Sequence, residues 1–128
     1  MRGRISPEGI KEMMERFQER WNVGDIEIEG ACQAYAPNAS ALFDEEVRVE
    51  GRRAIIAHYR RSYPTAASMG CLTLKLVGSE FVGERATTVW EFVLQAEGEV
   101  RQGRAELTFA QRNQQFFIVE EEAIPPSP

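Results

Sequence analysis

Histidine and cysteine are scarce in this chain: His58, Cys32 and Cys71 are all there is in 128 residues. A zinc or related centre needs several such ligands at close spacing, and the sequence holds neither a CxxC pair nor a Cys/His cluster. The carboxylates lack calcium-loop spacing as well, so no metal and no cofactor is expected. Two isolated cysteines read as small buried apolar residues. Positive charge is also short: 15 Lys and Arg stand against 20 Asp and Glu, a formal net charge of -5, which opposes phosphate binding and a nucleic-acid partner. Arg48, Arg52, Arg53, Arg60 and Arg61 do cluster, but Asp44, Glu45, Glu46 and Glu50 lie among them, as on a solvated helix face. No apolar run approaches the length of a membrane span, and the basic start Met1-Arg2-Gly3-Arg4 is not followed by the apolar stretch of a secretory signal. The expectation is a cytoplasmic protein without a membrane partner.

What is present is a well-patterned single domain over 1–128, with an ordered core at about 5–123, since 43% hydrophobic and 27% charged residues exclude disordered and fibrous classes. Ser6-Pro7-Glu8 starts a helix, and Ile10, Met13, Met14, Phe17 and Trp21 follow at spacings of three and four up to Gly24. Asp25 caps a second helix carrying Ile28, Ala31, Cys32 and Tyr35, which ends at Pro37-Asn38. Short strands at 39–43 and 47–49 flank an acidic turn at 44–46. A third helix fills 52–63 and stops at Pro64, with Ile55, Ile56, Tyr59 and Tyr63 inward and His58 beside that face. Four strands follow at 72–77, 86–95, 102–111 and 116–123, joined by connections short enough for antiparallel hairpins. The residues at 125–128 form a frayed tail.

The strand at 86–95 organises the rest. Thr87, Val89, Glu91 and Val93 share one face and Thr88, Trp90, Phe92 and Leu94 the other, and both faces are apolar, so each needs a cover. Helices supply one cover, and a second chain or more of the sheet supplies the other; since Phe116/Ile118 and Phe117/Val119 also put apolar groups on both sides, a partner subunit against the sheet's outer face is expected. Glu91 is the oddity, because a carboxylate between two valines is costly to bury without a partner.

Phe17, Trp21-Asn22, Gly24-Asp25, Tyr35-Ala36, Asn38-Ala39, Gly51, Ala54-Ile55 and Tyr59, followed by Val82-Gly83-Glu84-Arg85-Ala86, resemble the pattern of the nuclear-transport-factor-2-like superfamily. This superfamily includes the SnoaL-related polyketide cyclases, ketosteroid isomerase, limonene epoxide hydrolase and scytalone dehydratase. The resemblance runs from about 5 to 123 and implies an α+β, cone-shaped barrel, in which a curved, mainly antiparallel sheet and three helices from the N-terminal half enclose an apolar pocket. It also implies dimerisation through the outer face of the sheet.

On that pattern, Glu91 resembles the family's catalytic acid, although Val89 stands where the hydrolases carry an arginine, and Glu121 corresponds to their second acid, sharing a face with Phe117 and Val119 by strict alternation. Phe17 and Trp21 occupy the helix where the isomerases carry a hydrogen-bonding tyrosine, which argues against steroid isomerisation. The expected function is cofactor-free acid/base chemistry of the isomerase, cyclase, dehydratase or epoxide-hydrolase kind on a hydrophobic small molecule. Glu91 and His58 are the catalytic candidates, with Trp21, Tyr35, Phe43, Tyr59, Tyr63, Val93 and Glu121 around the substrate. The alternative is a non-catalytic ligand-binding or association module of the same fold. For Glu91 an ion pair with Arg104, and for Asp44 a turn-forming role, are the structural counterparts.

Overall fold

A computed structural model describes residues 5–24, 27–43 and 47–125. The cap at Asp25, the acidic turn at 44–46 and most of the tail lie outside the described residues. Helix α1 (Pro7–Val23) begins as its sequence dictates: Ser6 Oγ accepts from the Gly9 N–H at 3.1 Å, and Pro7 occupies a first-turn position that has no intrahelical bond to lose. Ile10, Met14, Phe17 and Trp21 are its buried stripe.

The second helix is far shorter than its apolar spacing suggests. It is a single turn, α2 (Ile28–Ala31), followed by a 3₁₀ turn (Cys32–Ala34), and at Tyr35 the chain is already strand β1 (Tyr35–Leu42). Pro37 accounts for the difference, because it lacks an amide donor and pushes Ala36 before it out of the helical region. Tyr35 therefore projects from a strand. The remaining elements are β2 (Arg48–Glu50), α3 (Arg52–Ser62), α4 (Ala66–Met69), β3 (Cys71–Val82), β4 (Arg85–Ala96), β5 (Glu99–Arg112) and β6 (Gln115–Ile124). Helix α4 has no counterpart among the expected elements. It is closed by a Thr65/Ser68 capping box at one end and by Gly70 at the other. Gly70 has φ +61°, and a Cβ there would sit 2.1 Å from the Gln95 carbonyl oxygen, so only glycine passes between α4 and β4.

The six strands form one curved sheet in the order β2-β1-β6-β5-β4-β3, with only the β1–β6 pair parallel. The sheet does not close, and helices complete the cone. Buried residues on β4 are Ala86, Thr88, Trp90 and Leu94, which fixes that face as the concave, helix-facing side and places Thr87, Val89, Glu91 and Val93 on the outer side. The β3 edge is pegged to α1 by side chains. Asn22 bonds both the amide and the carbonyl of Leu72, and Gln18 Oε1 accepts the Leu74 N–H at 2.8 Å. These amides continue the ladder that a seventh strand would otherwise supply, which blunts an exposed edge.

At the centre of the concave side, Thr88 is 0% exposed, accepts from Trp90 Nε1 at 2.8 Å and donates to the Leu107 carbonyl at 2.8 Å. Replacing Thr88 with Val keeps the shape but leaves a buried indole N–H unpaired. Unfolding by urea is expected to show a loss of about 1–3 kcal/mol, and a loss below 0.5 kcal/mol would contradict this account of the centre.

Candidate active site

The β5–β6 ladder slips by one residue: Thr108 faces Glu120, but the next residue, Phe109, faces Ile118. Val119 is the extra residue of this bulge. Strict alternation would put Glu121 with Phe117 on the outer side. The bulge resets the phase instead and pairs Glu121 with Leu107, whose other neighbour is Thr88 on the concave face. Glu121 thus points under the helices, and its neighbours Glu120 and Glu122 do not.

Tyr35 reaches the same place from β1. Its hydroxyl donates to Glu121 Oε1 at 2.5 Å and lies 2.7 Å from the Tyr59 hydroxyl of α3. Arg52, the first residue of α3 directly after Gly51, holds this strand start by donating to the Tyr35 carbonyl through Nε (2.9 Å) and Nη2 (2.7 Å). Burial pushes the Glu121 carboxyl from the ordinary glutamate value up to about 7, against the opposing pull of the Tyr35 hydrogen bond. Burial and the facing carboxylate push Tyr35 and Tyr59 well above the usual phenol value, so both keep their protons. Cys32, 0% exposed in the 3₁₀ turn, is pushed up to about 12 by burial and then by Glu121, and it stays a thiol.

Around this chain the aromatic side chains are continuous. Trp21 packs edge-on against Tyr59 (5.2 Å between centroids) and Tyr63 (5.3 Å), and its Nε1 donates to the Met69 carbonyl. Phe43 packs against Tyr59 at 5.2 Å and lies flat on His58 at 4.2 Å. Trp21, Tyr35, Phe43, Tyr59, Tyr63 and Glu121 are therefore brought together, with His58 at the rim behind Phe43.

Glu91 and Val93 are not brought there. Both lie on the outer face, because Trp90 and Leu94 on either side of them take the concave one. Glu91 Oε2 accepts from Arg104 Nη2 at 2.8 Å and Nε at 3.2 Å, and its side chain is 38% exposed. Of the two acids singled out in the sequence, it is Glu121 that stands in an apolar surround. Arg52 was missed as a holder of Tyr35, and nothing short of knowing that Tyr35 begins a strand would have found it. A cleft of about 310 Å³ opens next to this cluster, between Ser62, Tyr63 and Ser68 on one side and Leu94, Glu97 and Arg101 on the other. Tyr63 is shared between the cleft and the aromatic cluster, whereas Glu121 does not line it. Among the described residues no group of three or more His, Cys, Asp or Glu is placed to hold a metal, and no helix is long and apolar enough to cross a membrane.

The architecture matches solved structures closely despite low identity. An NTF2-like protein of unknown function from Shewanella oneidensis superposes with a TM-score of 0.81 at 18% identity, over 89% of this chain and 94% of that one. A domain of unknown function with a cystatin-like fold from Nostoc punctiforme gives 0.80 at 16% identity, over 94% of this chain and 77% of that one. A putative calcium/calmodulin-dependent protein kinase type II association domain from Thiobacillus denitrificans gives 0.73 at 17%, over 97% and 98% of the two chains. No protein-family model and no curated protein matches the sequence.

The Glu121 carboxyl binds its proton more tightly in the folded chain than in the unfolded one, so its contribution to stability is fully present below about pH 4.5 and is lost as pH rises through about 7. Glu121→Gln keeps the shape without the charge. At pH 8 it is expected to be more stable than the wild type by roughly 1–3 kcal/mol, and the difference should vanish at pH 4. Thermal melts across that range read it, and a variant less stable at pH 8 would show that the ionised carboxylate is well compensated.

Proposed function

The chain has the nuclear-transport-factor-2-like fold, and on that premise we propose that it is a cofactor-free acid/base enzyme of the isomerase, cyclase, dehydratase or epoxide-hydrolase kind, acting on a hydrophobic small molecule. The proposal rests on one observation: Glu121 has one oxygen fixed by Tyr35 while the other, Oε2, has no partner among the described residues. Among the described residues no fully buried side-chain oxygen or nitrogen lacks a partner, and Glu121 itself is half-buried. A carboxyl that burial holds up at about 7, with one oxygen unpartnered, exchanges protons with a substrate at little cost in either direction. In this reading Phe43, Tyr59 and Tyr63, packed around the buried Trp21, are the apolar side chains that face such a substrate. Glu121 takes the proton-moving role in this reading, and Glu91 is an outer-face ion-pair member.

Turnover of a panel of epoxides and β-keto cyclisation substrates tests this. Glu121→Gln is expected to lose about 100-fold or more, with the wild-type rate rising through about pH 7 if Glu121 acts as a base. Glu91→Gln is expected to keep turnover and to lose no more than about 1 kcal/mol, as for an exposed pair. Full activity in Glu121→Gln would overturn the assignment.

The second reading is an association module, and the outer face favours it. Val89 and Val93 are half-buried there around the Glu91–Arg104 pair, a mixed patch able to face its own copy. The putative association domain among the structural neighbours keeps that reading open. In either reading we expect a homodimer through this face, and sedimentation equilibrium at micromolar concentration yielding only the 14.5 kDa monomer would count against it.

A further inference from the structure

Past Leu74 the free edge of β3 is bare. Asn22 and Gln18 take the amides of Leu72 and Leu74, which shows that these residues turn their backbone groups away from β4, and Leu76 does the same by alternation. The β3–β4 ladder then slips at Val77, since Leu76 faces Trp90 and Gly78 faces Val89. After this bulge the edge-facing residues are Ser79 and Phe81. Among the described residues no other strand covers this edge, and Val77, Phe81 and Val82 along it are 42%, 37% and 68% exposed. An ordinary strand docks poorly on a bulged edge, because the extra residue throws its side chains onto the wrong faces beyond the slip. A second copy of β3 does not meet that obstacle. Set antiparallel about a two-fold axis between Val77 and Gly78, the two copies place their extra residues opposite each other, and both stay in phase on either side. Leu76 then meets the partner's Ser79, edge groups to edge groups.

Charge and shape agree with that register. Lys75 lies opposite Glu91 and Glu80 opposite Thr87, so both stand on the outer face of the sheet, and the axis brings Lys75 against the partner's Glu80 twice over. Both side chains are exposed, and among the described residues neither has an ion-pair partner within its own chain. Phe81 lies opposite Ala86 and Leu74 opposite Phe92, so both stand on the concave face, and the axis brings Phe81 beside the partner's Leu74. There α1 and β3 leave a pocket of about 170 Å³, floored by Met14, Leu74, Leu76 and Trp90 and rimmed by Lys11 and Gln18. Gln18, already bonded to the Leu74 amide, ends the shared ladder at that point, so the ring arrives where the strand pairing stops. We propose that two copies of the chain join their β3 edges antiparallel across Val77 and Gly78, with Lys75 paired to the partner's Glu80 and the Phe81 ring of each copy seated in the α1–β3 pocket of the other. This edge is distinct from the outer face of the sheet, so use of both contacts takes assembly beyond a dimer.

Sedimentation equilibrium of the full chain from micromolar to millimolar concentration reads the association, and charge reversal reads the register. Lys75→Glu and Glu80→Lys, each alone, set like charges opposite each other at two symmetric places and are expected to weaken one association step about tenfold or more. The double variant exchanges the two charges and is expected to return to the wild-type constant, which a merely structural loss would not do. Phe81→Ser should weaken the same step, and it serves if one of the charge variants does not fold. Disulfide trapping locates the contact. In a Cys71→Ser background, which removes the exposed native thiol, chains carrying Lys75→Cys are mixed with chains carrying Glu80→Cys. Oxidation of the mixture should give a cross-linked dimer, because this register puts the two cysteines directly opposite while the second Lys75–Glu80 pair stays intact, and neither variant alone should cross-link. A wild type that stays monomeric, association indifferent to the single reversals, a folded double variant that remains weakened, or a mixture that does not cross-link would each overturn the proposal. A dimer that forms through the outer face alone would show the second of these results together with the last.

Discussion

The arrangement of the concave face depends on a one-residue slip in the β5–β6 ladder. With Val119 looped out of register, the last strand changes the side on which its acids emerge, and of Glu120, Glu121 and Glu122 only Glu121 faces inward. Without the slip, Glu121 would face the outer side, and Glu120 and Glu122 would both face the concave side opposite Leu107 and Ala105, two uncompensated carboxylates. The hydrophobic cost of that alternative is large enough that the bulge is enforced by the sequence around it, since Phe109 and Ile118 on one side of the slip are both fully buried.

A second constraint meets the first at Tyr35. The proline two residues later ends the helical course of the chain, so the Tyr35 ring leaves a strand rather than a helix and lands beside β6. Arg52 then fixes the Tyr35 carbonyl from the start of α3, an end where helix polarity disfavours a cation. The bond to the carbonyl offsets that cost, and it ties α3 to β1, so that Tyr59, two turns further along, is delivered to the Tyr35 hydroxyl. Sequence positions 35, 52, 59 and 121 are thus linked by backbone events rather than by any contiguous motif.

That is why the fold was legible in the sequence and the site only in part. Helices α1 and α3 and the four long strands announce themselves through apolar periodicity and glycine or proline punctuation, and these elements are present in the structure, although β3 (Cys71–Val82) and β5 (Glu99–Arg112) run well beyond the expected 72–77 and 102–111. The aromatic residues Trp21, Tyr59 and Tyr63 were legible for the same reason, being on inward helix faces. Face assignment in the sheet was not. Strand β4 carries apolar residues on both sides, so its alternation does not say which side is covered, and Glu91 between two valines looks buried although Arg104 directly opposite on β5 accompanies it at the surface. For Glu121 the alternation rule is sound but its phase is reset by the bulge, and a bulge at a valine between isoleucine and glutamate leaves no compositional trace. Glycine would have marked it, and none is there.

An acid in an apolar surround persists only where its cost is met, and the structure shows how little meets it. One phenol satisfies one oxygen of Glu121; the guanidinium of Arg52 is committed to the Tyr35 carbonyl and not to the carboxylate. Had Arg52 paired with Glu121 instead, the carboxyl would be held ionised and the tyrosines locked in one orientation. With its arginine spent on the backbone, the site leaves the acid without a paired charge, and burial holds the Glu121 carboxyl up at about 7 against the pull of the Tyr35 hydrogen bond.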